Sequence, residues 1–178
     1  MISELQLNML QTIMKNRESF IVSGAAGAGK TTLLRAMLGE VTTERIITIE
    51  DVPELQLNAL GCVSLCSRQA NVEGKGEITL QQLLVESLRM RPDRLVIGEV
   101  RSAEIITLLQ AINTGHCASA TIHANSAAKV RERIMGIALA SGFDGHDIWQ
   151  QFANSVDWAI HIQNRAGART VDVRRLNE

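Results

Sequence analysis

Residues 24 to 31 read Gly24-Ala25-Ala26-Gly27-Ala28-Gly29-Lys30-Thr31, which fills every fixed position of G-x-x-x-x-G-K-[ST]. Few short motifs constrain architecture so tightly. Glycines let successive backbone N–H groups turn inward around an anion, and the start of a helix adds partial positive charge. Such a loop works where a strand runs into it and a helix leaves it. The flanks supply both: Phe20-Ile21-Val22 reads as a short apolar strand and Thr32-Leu33-Leu34-Arg35-Ala36-Met37 as a helix. Gly24, Ala25, Ala26, Gly27, Ala28, Gly29, Lys30, Thr31 and Thr32 are therefore the expected phosphate cradle, a Walker A loop. Lys30 is expected to reach the β- and γ-phosphates of a nucleotide, and the Thr31 hydroxyl to ligate Mg²⁺. No guanine-reading Asn-Lys-x-Asp run occurs, so ATP is the expected nucleotide.

The rest of the chain alternates in the same way. Leu5, Met9, Leu10, Ile13 and Met14 fall at helical spacing over about residues 2–15. Strands are expected at 45–49, 62–65, 95–97 and 118–122. Helices are expected at about 80–88, which must stop before Pro92, and at 103–112, 126–140 and 144–154. Two last strands, near 157–163 and 169–175, are joined by a turn at Ala166-Gly167 and are close enough to pair as a hairpin. This alternation predicts an α/β fold in one domain spanning 1–178, with a mainly parallel twisted sheet flanked by helices and a C-terminal β-hairpin.

Composition narrows the function. With 18 basic and 19 acidic residues the net charge is −1, and only 3% of residues are aromatic, which argues against a nucleic-acid binder. No apolar run reaches the ~18 residues of a membrane-spanning helix. Met1-Ile2-Ser3-Glu4 carries an acid where a secretory leader would be basic, so a leader is not expected. Cys62, Cys66 and Cys117 read as buried reduced thiols rather than zinc ligands, and Trp149 and Trp158 as core or interface anchors.

A P-loop hydrolase needs acids on neighbouring strands. Leu95-Val96-Ile97-Gly98-Glu99 has an apolar strand but glycine in the slot an aspartate often fills, making Glu99 the candidate for holding Mg²⁺ through water. Glu50 ends another strand in Ile49-Glu50-Asp51-Val52-Pro53-Glu54 and is placed to orient or deprotonate the attacking water.

Four blocks then carry a resemblance. The P-loop comes first, followed by Thr48-Ile49-Glu50-Asp51 with Glu54-Leu55-Gln56-Leu57. Next are Leu88 to Arg94 running into Gly98-Glu99-Val100-Arg101, then Thr114-Gly115-His116 with Thr121-Ile122-His123-Ala124-Asn125. In order and spacing they resemble the secretion and pilus-assembly ATPases of the type II/type IV secretion superfamily, most like its tight-adherence (CpaF-like) pilus branch. The resemblance implies a RecA-like P-loop motor that hydrolyses ATP with Mg²⁺ and powers pilus assembly or protein secretion. It also implies a homohexamer in the full-length protein, inner-membrane platform proteins as partners, no nucleic acid, and a cytoplasmic place peripheral to the inner membrane. It assigns Glu50 to the catalytic-acid position, Glu99 to an atypical Walker B and His123 to the histidine box. His116 reads rather as a helix-end residue.

Only about 20 residues precede the P-loop strand, so the family's N-terminal domain, a contributor to base and ribose contacts, is expected to be missing. Weak association and low turnover that rises with protein concentration are the corresponding expectations. Among Arg68, Arg89, Arg91 and Arg101, the preferred candidates for an arginine finger across a subunit boundary are Arg68 and Arg101. The alternatives are an assembly module that binds nucleotide with little turnover, and a RecA-like DNA motor.

Overall fold

A computed structural model describes residues 2–41, 43–165 and 167–176. In chain order the elements are α1 (Glu4–Lys15), β1 (Phe20–Gly24), α2 (Lys30–Gly39), β2 (Ile46–Glu50), β3 (Val63–Cys66), α3 (Leu80–Leu88) and β4 (Arg94–Ile97). Then follow α4 (Glu104–Asn113), β5 (Cys117–His123), α5 (Lys129–Ala140), α6 (Gly145–Ser155), β6 (Trp158–Arg165) and β7 (Ala168–Arg175). The seven strands form one sheet in the order β3-β2-β4-β5-β1-β6-β7. Every pairing is parallel except β6 with β7, which is antiparallel. Of the expected hairpin turn, Gly167 lies in a turn with φ 84°, and Ala166 lies outside the described residues.

Both faces of the sheet are covered, so β1, β2 and β4 bury every residue. On one face Leu10, Ile13, Leu34 and Leu38 of α1 and α2 pack with Phe20, Val22, Ile46 and Val96. On the other, Leu84, Leu108, Ile134 and Phe152 of α3 to α6 pack with Ile21, Ile47, Ile49 and Ile97. Capping boxes start α1 at Ser3 with Gln6 and α3 at Thr79 with Gln82, and Asp144 caps α6. Because β1 to β6 run parallel, their carboxyl ends share one edge, where such sheets place ligands.

The opposite edge is structural. Arg94 at the start of β4 is completely buried, donating to Glu44 Oε2 at 2.9 Å, Met14 O at 3.1 Å and Cys117 Sγ at 3.1 Å. His116 is a helix-end residue here, its Nδ1 3.2 Å from Thr114 Oγ1 and 3.2 Å from Ala111 O. The thiols correct the sequence reading, since Cys117 alone is buried. Cys66 is exposed because β3 is an edge strand whose alternate residues face outward, and Cys62, just before that strand, is half-buried. Trp158 is an anchor, donating Nε1–H to Glu18 at 3.0 Å beneath the Arg175 guanidinium, and Trp149 stacks on Phe152.

Burial pushes the Cys117 thiol from 9.0 up to about 11, although Arg94 pulls the other way. The unfolded thiol then ionises first as pH rises. Stability contributed below pH 9 is lost towards pH 11, on the order of 1 kcal/mol per pH unit. Denaturant titrations across this range should show the decline in the parent and a shallower one in Cys117→Ser, which keeps an acceptor for Arg94. Equal slopes would contradict the assignment.

Candidate functional site

The loop after β1 has the shape its glycines predict. A Cβ at Gly24 would meet Ile162 O at 2.5 Å, so only glycine fits where β1 passes the hairpin. Gly27 and Gly29 take φ 71° and 104°, the left-handed region that glycine enters without strain. Helix α2 then begins at Lys30, two residues earlier than expected. Gly29 is its N-cap and offers no side chain, so no side-chain acceptor satisfies the first N–H groups. Lys30 Nζ folds back and donates to Ala25 O at 3.2 Å.

Beside the loop lies a cleft of about 310 Å³ whose walls include Ala26, Gly27, Lys30, Thr31, Glu50, Gly98, Glu99, Arg101 and His123. Residues distant in sequence meet here because β2, β4, β5 and β1 are consecutive in the sheet. Glu50, the last residue of β2, is buried. Its Oε1 accepts N–H groups of Glu54 and Leu55, each at 3.1 Å, while no partner among the described residues reaches Oε2. Burial raises its carboxyl above the ordinary value, opposed by the two N–H donors and assisted by nearby Glu54.

Gly98 explains the aspartate slot. A Cβ there would stand 2.9 Å from Glu50 Cγ. The volume an aspartate would use is filled by Glu50 from the next strand. Glu99 is half-exposed and accepts from Arg101 Nη2 at 2.7 Å and Nε at 3.1 Å, and Arg101 Nη1 reaches Asp51 at 3.4 Å. These hydrogen bonds and the charge of Glu99 strengthen the guanidinium's hold on its proton. His123 ends β5 level with Gly24, which puts it over the loop.

Glu54, Asp51 and Thr121 stood in the sequence blocks without a role of their own, and the cleft gives each a partner. Glu54 Oε2 accepts from Thr31 Oγ1 at 3.1 Å, Asp51 accepts from Ser67 Oγ at 2.7 Å, and Thr121 Oγ1 donates to Gly98 O at 2.5 Å. Strand alternation could have found Thr121, two residues before His123 on the same face. Arg68 stands apart: it is exposed, outside the cleft lining, and bound through Nε to Gly76 O at 2.7 Å. Arg89 pairs with Glu86 at 3.1 Å, and Arg91 is exposed with φ 52°.

Among the described residues, no three His, Cys, Asp or Glu side chains converge as a metal cage. Mg²⁺ does not need one, because it keeps several waters and takes one or two protein oxygens beside substrate phosphates. The Thr31 hydroxyl and Glu99 carboxylate, facing one cleft, fit that requirement. No described helix is long and apolar enough to cross a membrane.

Comparison with known proteins shows the family and the fold. Protein Rv3659c of Mycobacterium tuberculosis (strain ATCC 25618 / H37Rv) is 46% identical over 164 residues, covering 90% of this chain and 47% of its own length. Conjugal transfer protein TrbB of Rhizobium radiobacter is 34% identical over 175 residues, 95% of this chain and 51% of its own. The crystal structure of the VirB11 ATPase from the Brucella suis type IV secretion system, in complex with sulphate, superposes with a TM-score of 0.84 at 28% identity. It covers 95% of this chain and 51% of that one. The chain thus spans about half the length of these relatives, and its fold is that of the RecA-like ATPases. The family model described as "Type II/IV secretion system protein" matches residues 1–165, and the chain belongs to that family.

Proposed function

We propose that this chain is the ATP-binding and ATP-hydrolysing motor domain of a secretion, conjugation or pilus-assembly machine. One observation carries the reading. A phosphate loop with an open helix start faces Glu50, a buried carboxylate whose Oε2 has no partner among the described residues. In this reading the backbone from Gly24 to Thr32 wraps the phosphates, and Lys30 offsets their charge. Thr31 and Glu99 hold Mg²⁺, which supplies neutralisation of the β- and γ-phosphates when bound. Glu50 orients the attacking water and takes its proton, and His123 reads the γ-phosphate. The Thr31 hydroxyl, which donates to Glu54 in this structure, would be one of the oxygens that hold the metal. Arg101, tied to Glu99 and Asp51 in its own chain, organises the acids. Arg68, exposed and outside the cleft, is the better candidate for reaching a neighbouring subunit's nucleotide.

The four sequence blocks support the tight-adherence pilus branch, and the likeness to a conjugal transfer protein supports a conjugative machine. A homohexamer and membrane-platform partners belong to the whole-protein reading, with residues 1–178 as one RecA-like domain of it. Phosphate release from Mg·ATP, measured over a protein concentration series with light scattering, tests this. The rate per chain should be low when dilute and rise as chains associate. Absence of both ATP binding and turnover at every concentration would overturn the reading.

Gly98→Ala gives a sharper check. The added methyl cannot coexist with Glu50 Cγ at 2.9 Å, so Glu50 must shift. Displacing a catalytic group by about 1 Å costs on the order of 10²-fold. Nucleotide affinity should stay near parental while hydrolysis falls. A parental rate would show that the position of Glu50 does not matter.

A further inference from the structure

Where β1 runs into the phosphate loop, β6 meets it at two successive residues. A Cβ at Gly24 would stand 2.5 Å from Ile162 O, so β6 backs directly against the first glycine of the loop. One residue earlier, Ser23 pairs with His161 across the parallel strands, and Ser23 Oγ lies 2.9 Å from His161 Nδ1. Both side chains are buried, Ser23 at 0% and His161 at 4% exposure. Alternate residues of a strand share a face, so this pair lies on the side of Ile21 and Ala159, in the apolar layer beneath α3 to α6.

Such a layer has no need of a Ser–His pair. Replacing both partners of a buried hydrogen bond with apolar groups of the same shape is close to neutral, whereas an unsatisfied buried group is costly. Yet no partner among the described residues reaches His161 Nε2. That orphan decides where the proton sits. Burial lowers the imidazole pKa, against the pull of Asp172 opposite it on β7, so near neutral pH the ring is uncharged and carries one N–H. A proton on Nε2 would be a buried donor without an acceptor. With the proton on Nδ1, both donors of the pair are satisfied. Nδ1–H donates to Ser23 Oγ, and the Ser23 hydroxyl donates to Ile160 O at 3.4 Å.

Ser23 is the last side chain before the phosphate loop. Gly27 and Gly29 give that loop its shape but no side chains to hold it, so its direction is set where it leaves β1. A polar pair kept in an apolar layer, with one atom unpaired, marks a point where local position outweighs stability. We propose that His161 is a positioning residue for the nucleotide site: it donates Nδ1–H to the Ser23 hydroxyl and so fixes the direction in which the phosphate loop leaves β1. Neither residue lines the cleft, so the effect on a ligand is carried by the loop alone. Without the bond the loop samples other directions, and apparent affinity falls with the fraction of chains that hold the binding shape. This rests on the nucleotide reading given above.

Calorimetric titration of the chain with Mg·ADP tests it. His161→Leu removes the donor and should weaken binding about fivefold, the size of one neutral hydrogen bond. His161→Asn sets an amide N–H where Nδ1–H stands and should recover most of the loss, although it does not refill the volume of the ring. A role in packing alone would leave asparagine as weak a binder as leucine, and that result would overturn the proposal. Ser23→Ala cuts the same bond from the other side. Combined with His161→Leu it should weaken binding no more than either change alone, and additive losses would overturn the proposal. If the leucine variant unfolds early, Ser23→Ala is read in its place. NMR of the parent's imidazole nitrogens should find the proton on Nδ1, and a proton on Nε2 would overturn the assigned donor. Parental affinity in folded His161→Leu and Ser23→Ala would overturn the proposal while leaving the nucleotide site standing. A parent chain that binds neither Mg·ADP nor Mg·ATP would overturn both readings at once.

Discussion

Lys30→Ala is expected to reduce ATP hydrolysis by about 10³-fold or more and to weaken ATP binding at least about tenfold. The cleft walls explain the size. They carry four carboxylates, Glu50, Asp51, Glu54 and Glu99, against the cations Lys30 and Arg101, and Arg101 already serves Glu99 and Asp51. Lys30 is thus the cation the walls can turn towards a polyphosphate. Its present acceptor, Ala25 O at 3.2 Å, is a weak neutral partner that a phosphate oxygen replaces easily. In the variant an anionic ligand meets a cleft of net negative charge, and the bond to the leaving phosphate loses its fixed positive partner. Folding should survive, because Lys30 is only part-buried at the first turn of α2 and anchors no core contact. Phosphate release and calorimetry on the purified variant measure both effects. Turnover at the parental rate would remove the phosphate loop from the mechanism.

How far the sequence leads differs from residue to residue. The loop between β1 and α2 was legible because its function demands local geometry, glycines at left-handed positions and a helix directly after them. The alternation of apolar runs likewise revealed the parallel sheet and the closing hairpin. Strand order was not legible, since nothing within β2 or β4 states that they neighbour each other rather than β1. That order decides the site. It brings Glu50 against Gly98, so a position that reads as a missing aspartate is space already taken by a carboxylate from the next strand. The same blindness hid the close approach of Gly24 to Ile162, which lie far apart in sequence and meet only because β6 pairs with β1. Cys66 misled for another reason: apolar character was read as burial, but an edge strand has an outward face. Arg68 and Arg101 looked equivalent as candidates until local partners separated them, one tied to a loop carbonyl and the other to two acids of the cleft.

Glu50→Gln is expected to keep ATP binding near parental and to lose about 10²- to 10⁴-fold in hydrolysis, the usual span for a positioned general base. The hydrogen-bond pattern separates the two roles of this side chain. Oε1 is structural, accepting from Glu54 N and Leu55 N at 3.1 Å each, which fixes the turn after β2; the glutamine carbonyl can accept the same bonds. Oε2 is buried with no partner among the described residues, and glutamine replaces it with an amide that donates and cannot take a proton. The substitution therefore spares the turn and removes the base. Burial also raises the Glu50 carboxyl above 4.5, making the carboxylate a stronger base than an exposed glutamate. The sign follows: protonation starts at a higher pH than usual, so parental activity should decline on acidification before pH reaches 4.5, and the residual activity of the glutamine variant should lack that limb. Because folded Glu50 binds its proton more tightly than in the unfolded chain, stability should move the other way and rise as pH falls through the same range. The falling rate thus cannot be blamed on unfolding at that group. A glutamine variant that hydrolyses ATP at the parental rate, or that keeps the acid limb unchanged, would transfer the base to another residue of the cleft, with Glu99 the next to replace.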